Sequence, residues 1–430
     1  MSNKLKKFWH SLGPGLITGA ADDDPSSITV YSIAGAKFGL AMLWTALASL
    51  PFIIVVQRMA GRIGLISGKG LAGNLKRHYP HWILISVTLM IVLANIINIG
   101  ADISGMAAAL NLLVPFPPIL LSALLSGAII VLFIFASYRR IARYLKWVAL
   151  SLVSYVLAVF LVHQNWTEIL YRIVVPKFIF SKEYLAMLIA LFGTTISPYL
   201  FFWQASEEVE EARLRQSLAS GKVGMIPSVE PHGHHQSKEL IKNEIGSMYQ
   251  DVHSGMAFSQ LIQAFIIILA ASTFFRNGFT NISTVEEVAQ IIKPLAGHYA
   301  NLLFLIGITA SGILAVPILA GTAAYALAEM FGWKEGLEHR FTNAKEFYLV
   351  MIFSTLLGLL IPVFHLSPVN ILFYTALIFG AVSPFLVLVV IHMANNPKIM
   401  KEFTSRWWTN IIAYILFLIL SVSVILMFYL

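Results

Sequence analysis

An apolar stretch of membrane-spanning length, Gly13 to Gly39, is interrupted at its middle by Asp22, Asp23, Asp24 and Pro25. This interruption constrains the fold more than any other feature of the chain. An acid near the centre of a spanning helix costs about 2.5–3.5 kcal/mol on insertion scales. Pro25 removes a backbone donor and clashes with the preceding turn, so a helix breaks there. Backbone groups released at membrane depth are tolerated only where they are buried in protein or line a cavity. A broken helix with carboxylates at the break therefore reads as a cation site. The competing reading, a surface loop with the helix starting later, ranks lower because acids inside a span are functional by default.

That reading needs a membrane protein, and composition supplies one. Of 430 residues, 58% are hydrophobic and 12% charged, with a mean hydropathy of +0.78. Repeated apolar runs of helical length exclude a β-barrel, whose strands are shorter and alternate in polarity. The absence of cysteine excludes disulfides and thiolate ligands. A net charge of +8 fits basic cytoplasmic loops and implies no nucleic acid. No cleavable signal peptide is evident, and Lys4, Lys6 and Lys7 are expected to lie in the cytoplasm before the first span.

Eleven spans are expected, at about 12–38, 41–66, 82–110, 117–137, 143–163, 184–206, 246–274, 297–330, 344–364, 368–393 and 405–430. Lys69, Lys76 and Arg77, then Arg139, Arg140 and Arg143, then Lys334 and Arg340, then Lys398, Lys401 and Arg406 all fall on the side of the N-terminus. This bias puts the N-terminus inside and, after eleven crossings, Leu430 outside. Residues 207–245 are expected to form a cytoplasmic loop. Its acidic run, Glu207, Glu208, Glu210 and Glu211, reads as a solvated helix end before an ion antechamber. His232, His234 and His235 read as a polar loop before a metal site.

A second interruption falls in the sixth span, where Gly193, Thr194, Thr195, Ser197 and Pro198 break an apolar run. Proline alone is often only a kink. Here the position matters, because spans one and six head two five-span groups, 12–163 and 184–393, with 405–430 as an extra helix. Five is odd, so the groups have opposite orientation. Interrupted helices at matching places in inverted halves are the best pointer to a transporter's midplane site.

Gly13-Pro14-Gly15 followed by Asp24-Pro25 resembles the first helix of the Nramp divalent-metal transporters. The resemblance implies an all-α polytopic fold of the LeuT-type inverted-repeat class with helices one and six broken. That family carries Asp-Pro-Gly-Asn in helix one and Met-Pro-His in helix six. Asp24 and Pro25 match the first two positions, and Ser26 and Ser27 replace Gly and Asn. Ser197 stands at the Met position, Pro198 is kept, and Tyr199 replaces His. The metal-ligating carbonyls of the family would fall at Ala21 and Thr194. The altered motifs look most like the Nramp-related magnesium transporters. Metal contacts are thus implied at Asp24, Asp23, Ala21, Ser27, Thr194 and Ser197, with Asp22, Tyr199, Gln204 and Asp102 as cavity or pathway residues. A Met thioether favours Mn²⁺ and Fe²⁺, whereas an all-oxygen site suits a hard cation. Mg²⁺ keeps several waters, and two serines leave volume for them.

Proton-coupled members use the helix-six His, an Asp-x-x-Glu pair in helix three and arginines in helix nine. Here Tyr199 and Gly105 replace His and Glu, and 344–364 has no Arg. Asp102 keeps the Asp position, as a functional group or as an interfacial acid near its helix end. Asn95 and Asn98 read as interhelical hydrogen bonds. The expectation is import of partly hydrated Mg²⁺, and also Mn²⁺, by alternating access without proton coupling. The alternatives are a proton-coupled Mn²⁺/Fe²⁺ transporter and a sodium-coupled organic-solute symporter, whose anionic substrate three aspartates would repel. No His-Glu-x-x-His or Gly-x-Ser-x-Gly motif supports an enzyme. The expected setting is a bacterial inner membrane, with lipid as the only partner and no resident cofactor, nucleic acid or obligate protein.

Overall fold

The computed structural model describes residues 18–19, 21–135, 152–219, 238–364 and 366–429, and among these every regular element is helical. The main helices are α1 (Pro25–Phe38), α2 (Trp44–Ser67), α3 (Leu71–His78), α4 (His81–Asn111), α5 (Pro118–Phe135), α6 (Val153–Leu161) and α7 (Lys182–Thr195). They continue with α8 (Pro198–Ala219), α9 (Lys238–Thr273), α10 (Ala300–Phe331), α11 (Lys345–Gly358), α12 (Pro368–Asn395) and α13 (Trp407–Tyr429).

Nine helices among the described residues are long and apolar enough to cross a membrane, counting α7 and α8 together as far as Leu214. Two of the eleven expected spans are not among them. The first is split by its break, which leaves α1 at 14 residues. Of the fifth, 143–163, only its last turns are described, as the nine residues of α6. Arg139, Arg140, Arg143, His232, His234, His235, Leu430 and Lys4, Lys6 and Lys7 lie outside the described residues.

The segment 207–245 differs from the expected loop. Helix α8 runs on to Ala219 and α9 begins at Lys238. The reason is local: Glu207-Glu208-Val209-Glu210-Glu211-Ala212-Arg213-Leu214-Arg215 is built almost wholly of good helix formers. Charge density marks the end of the apolar run there, not the end of the helix.

Exposed Leu89, Leu93, Leu124, Phe353 and Leu418 form an outward apolar surface, as a bilayer requires. Inside, helices approach through glycine. A Cβ at Gly193 of α7 would sit 2.1 Å from the Ala376 carbonyl oxygen of α12, and one at Gly64 of α2 would sit 2.1 Å from the Ala205 carbonyl oxygen of α8. Gly19 and Gly35, on either side of the first break, meet the Gly255 and Ile267 carbonyl oxygens of α9 at 2.2 and 2.4 Å by the same measure. Small residues at such crossings let backbones touch where lipid offers no hydrophobic drive to association. Gly193→Ala is expected to destabilise by about 1–3 kcal/mol, the usual cost of overpacking. Gly127→Ala, which meets open space inside α5, should not lower the thermal unfolding temperature in detergent.

Candidate functional site

Both breaks have the same construction. Helix ends at Asp22, Asp23 bends, and Asp24 is extended at φ −69° and ψ 173° immediately before Pro25 opens α1. In the sixth span α7 ends at Thr195, Ile196 leaves helical geometry at φ −110° and ψ 55°, and Ser197 precedes Pro198 at the head of α8. Proline at the first helical position has no N–H to lose and a preset φ, so each break doubles as a clean helix start.

Asp24 caps α1. Its Oδ1 accepts from the Ser27 N–H at 2.7 Å and the Ser26 hydroxyl at 2.6 Å. Its Oδ2 turns to α4 and accepts from Asn98 Nδ2 at 3.0 Å. Ser27 does not reach inward with its hydroxyl, which donates to the Asp22 carbonyl at 2.6 Å. Asp22 and Asp23 face α9 instead, where the Ser259 hydroxyl lies 2.9 Å from Asp22 Oδ2 and 3.3 Å from Asp23 Oδ1. One hydroxyl has one proton to give, so these two carboxylates share a single donor. The three acids thus diverge, and among the described residues no three His, Cys, Asp or Glu side chains form a metal cage.

The carbonyls singled out by resemblance are at the breaks and engaged. The Tyr199 hydroxyl donates to the Ala21 carbonyl at 3.1 Å, tying α8 across to the first break. The Ser197 hydroxyl donates to the Thr194 carbonyl and, at 3.2 Å, lies close to that of Gly193. A carbonyl oxygen has two lone pairs, so one hydrogen bond leaves a position for a further contact. The Thr194 hydroxyl is turned back to the Leu191 carbonyl.

Asp102 is wholly buried, not interfacial. It sits one turn along α4 from Asn98, whose amide reaches its Oδ2 at 3.5 Å. Gly105 lies one turn further on, where an added Cβ would be 3.6 Å from the Pro25 ring. Gln204 is further along α8 and bridges the first span to the acidic run, accepting from the Thr18 hydroxyl at 3.4 Å and donating to Glu208 at 2.8 Å. That run is partly structural rather than solvated. Glu210 accepts from the Tyr325 hydroxyl and, at 2.9 Å, from the Leu337 N–H. Two residues of the site carried no sequence signal as such. Ser259 is one serine in a long helix, and Asn98 reads as a packing hydrogen bond until Asp24 is placed against it.

The electrostatic character follows from the count of acceptors. Asp22 Oδ1, Asp23 Oδ2, Asp102 Oδ1 and Asn98 Oδ1 are buried oxygens without a hydrogen-bond partner among the described residues. A buried acceptor without a donor is costly, and a cluster of four around one break is the complement of a cation.

A family model described as natural resistance-associated macrophage protein-like, Nramp, matches residues 15–430. The chain is 23% identical over 435 residues to the divalent metal cation transporter MntH of Listeria monocytogenes serotype 4a (strain HCC23), covering 99% of this chain and 91% of that protein. It is 23% identical over 439 residues to the protein of that name from Ralstonia nicotianae, covering 97% and 90%. Among solved structures, the Eremococcus coleocola manganese transporter superposes with a TM-score of 0.79 at 14% identity, covering 99% of this chain and 87% of that one. MhsT in complex with L-phenylalanine does so at 0.60 and 14%, covering 96% and 97%. These structural likenesses show the fold, which is LeuT-type.

Ser259→Ala removes the donor that Asp22 and Asp23 share. Loss of such an outer partner costs about 10–100-fold in cation affinity, to be read by titration calorimetry. Ser254→Ala, which changes a half-buried residue of the same helix whose hydroxyl donates to its own turn at the Gln250 carbonyl, is expected to bind as the parent does.

Proposed function

The chain belongs to the Nramp family, and we propose that it carries a divalent cation across a membrane by alternating access, with Mg²⁺ preferred and Mn²⁺ also carried. It is an integral membrane protein and not an enzyme. The observation that carries the reading is the excess of buried, unpartnered oxygen at the first break. A cation entering there takes Asp24 as its principal ligand, with Asp23 acting through water and the Ala21 and Thr194 carbonyls completing the shell. Ser27 and Ser197 border it.

The preference for Mg²⁺ rests on Ser197. Sulfur and nitrogen ligands draw Mn²⁺ and Fe²⁺ away from harder ions, whereas oxygen alone does not. Every group named at the breaks offers oxygen, and Mg²⁺ retained in part of its water shell suits a site with few direct ligands. Coupling to protons is not part of the reading, because Gly105 and Tyr199 stand where the proton-coupled members carry Glu and His.

One observation favours a second reading, proton-coupled Mn²⁺ or Fe²⁺ transport. Asp102 is fully buried within reach of the amide that Asp24 uses, so a titratable group does adjoin the break. Proteoliposomes supplied with Mg²⁺, Mn²⁺ or Ca²⁺, with internal pH recorded, separate the two. Mg²⁺ uptake without acidification supports the first. Mn²⁺ uptake with acidification that Asp102→Asn abolishes supports the second.

Asp24→Ala is expected to abolish uptake, with charge-removing changes ranking 24, then 23, then 22 in severity. Wild-type rates in Asp24→Ala would remove the basis for the site. Ser197→Met supplies a thioether but fills space that a hydrating water needs. It is expected to slow Mg²⁺ uptake several-fold, and Mg²⁺ uptake equal to wild type would place this residue away from the ion. Adding Ser27→Asn restores the second family position and tests whether Mn²⁺ then improves.

A further inference from the structure

Where α2, α9 and the head of α13 meet, a cavity of about 500 Å³ opens at the end of the bundle that also carries the Gly68 turn. Its character is opposite to that of either break. Its walls hold four cations, Arg58, Arg62, Lys242 and Arg406, against one carboxylate, Glu402. Arg62 is only 8% exposed, and its hydrogen-bond partners are neutral: the Ser405 hydroxyl at 2.5 Å and the Tyr249 hydroxyl at 3.5 Å. The Arg58 guanidinium lies 3.6 Å above the Tyr249 ring, which fixes its plane and leaves its edge free to donate. The Nε atoms of both arginines are buried and have no hydrogen-bond partner among the described residues. Buried guanidinium groups with spare donors are costly unless an anion meets them, and planar forks of this kind suit phosphate oxygens.

The cavity is placed at headgroup depth. Arg62 lies five residues before the end of α2 at Ser67, about 7–8 Å along the helix. Trp407 and Trp408 begin α13 and are 75% and 37% exposed, and the exposed Ile411 and Leu418 follow. Tryptophan at the head of a lipid-facing helix marks the membrane–water interface. Basic pockets between helices at that level are suited to acidic headgroups, and the volume falls in the ordinary ligand range of about 300–1,000 Å³.

We propose that this cavity binds a phosphate group, presented either by an anionic lipid headgroup or by phosphate in solution. Arg58 and Arg62 form its floor, and Lys242 and Arg406 its rim. The site is separate from the cation breaks and does not depend on which metal is carried.

The test uses the full chain in nanodiscs of phosphatidylcholine, with and without phosphatidylglycerol, and in phosphatidylcholine with inorganic phosphate. Native mass spectrometry reads retained lipid, and thermal unfolding reads stabilisation. Two variants are compared with wild type: Arg58→Gln, and Lys242→Gln with Arg406→Gln, which changes only exposed side chains and so keeps the fold. Each lost basic group is expected to weaken binding about fivefold. Phosphatidylglycerol retained by wild type and lost from the variants establishes the site with lipid as its source. Stabilisation by inorganic phosphate alone, lost in the variants, establishes it with phosphate from solution. If neither anion distinguishes wild type from the rim double variant, the proposal is overturned, whatever Arg58→Gln does.

Discussion

The structure turns on one covalent fact used twice: a proline at the head of a buried helix. Pro25 and Pro198 each end the helix before them and start the one after. A residue in front of a proline is biased toward extended backbone, which Asp24 adopts, and at each break its side chain is left at the interruption. In the first span that residue is Asp24, which caps the new helix with one oxygen and presents the other to α4. In the second it is Ser197, whose hydroxyl is spent on the carbonyls released when α7 ends. The chemical difference between the breaks is therefore that an acid stands before one helix-opening proline and a hydroxyl before the other.

Around the first break the protein has supplied acceptors and withheld donors. Ser259 serves two carboxylates, and the Asn98 amide lies between Asp24 and Asp102. Such a network is relieved by positive charge, whether a cation or protons on the carboxylates, so acceptance of that charge and the cost of the empty state are two sides of one arrangement. The divergence of the acids adds to this. Asp22 and Asp23 lean to α9 while Asp24 leans to α4, so the negative charge is spread over two helices instead of gathered at a point.

The two breaks were readable from residues because a proline and acids inside an apolar run are costly in a membrane unless a cavity or a ligand uses them. The helical class and most helix limits were readable for a related reason, since spanning length and polarity set them. What was hidden was tertiary. Ser259 stands 236 residues from Asp23 and looks like any serine in a long helix. Asp102 read equally as a functional group or as an interfacial acid, because its distance to the helix end is visible in sequence, whereas the packing of α4 against α1 is not. The continuation of α8 through its glutamates was hidden by a different confusion, because charge ends an apolar run without ending a helix.

The glycine contacts distribute mechanical freedom unequally. Gly19 and Gly35, before and after the first break, both rest on α9, so the two pieces of that span are bolted to one rigid rod. The pieces of the sixth span are not. Gly193 seats α7 against the backbone of α12, while the Ala205 backbone of α8 is seated on Gly64 of α2. The joint at Ile196 and Ser197 therefore connects parts seated on different helices. A relative rotation of those helices would fall on the few torsions between Thr195 and Pro198, and the Tyr199 hydroxyl, which reaches the Ala21 carbonyl from just beyond that joint, would carry it into the first break.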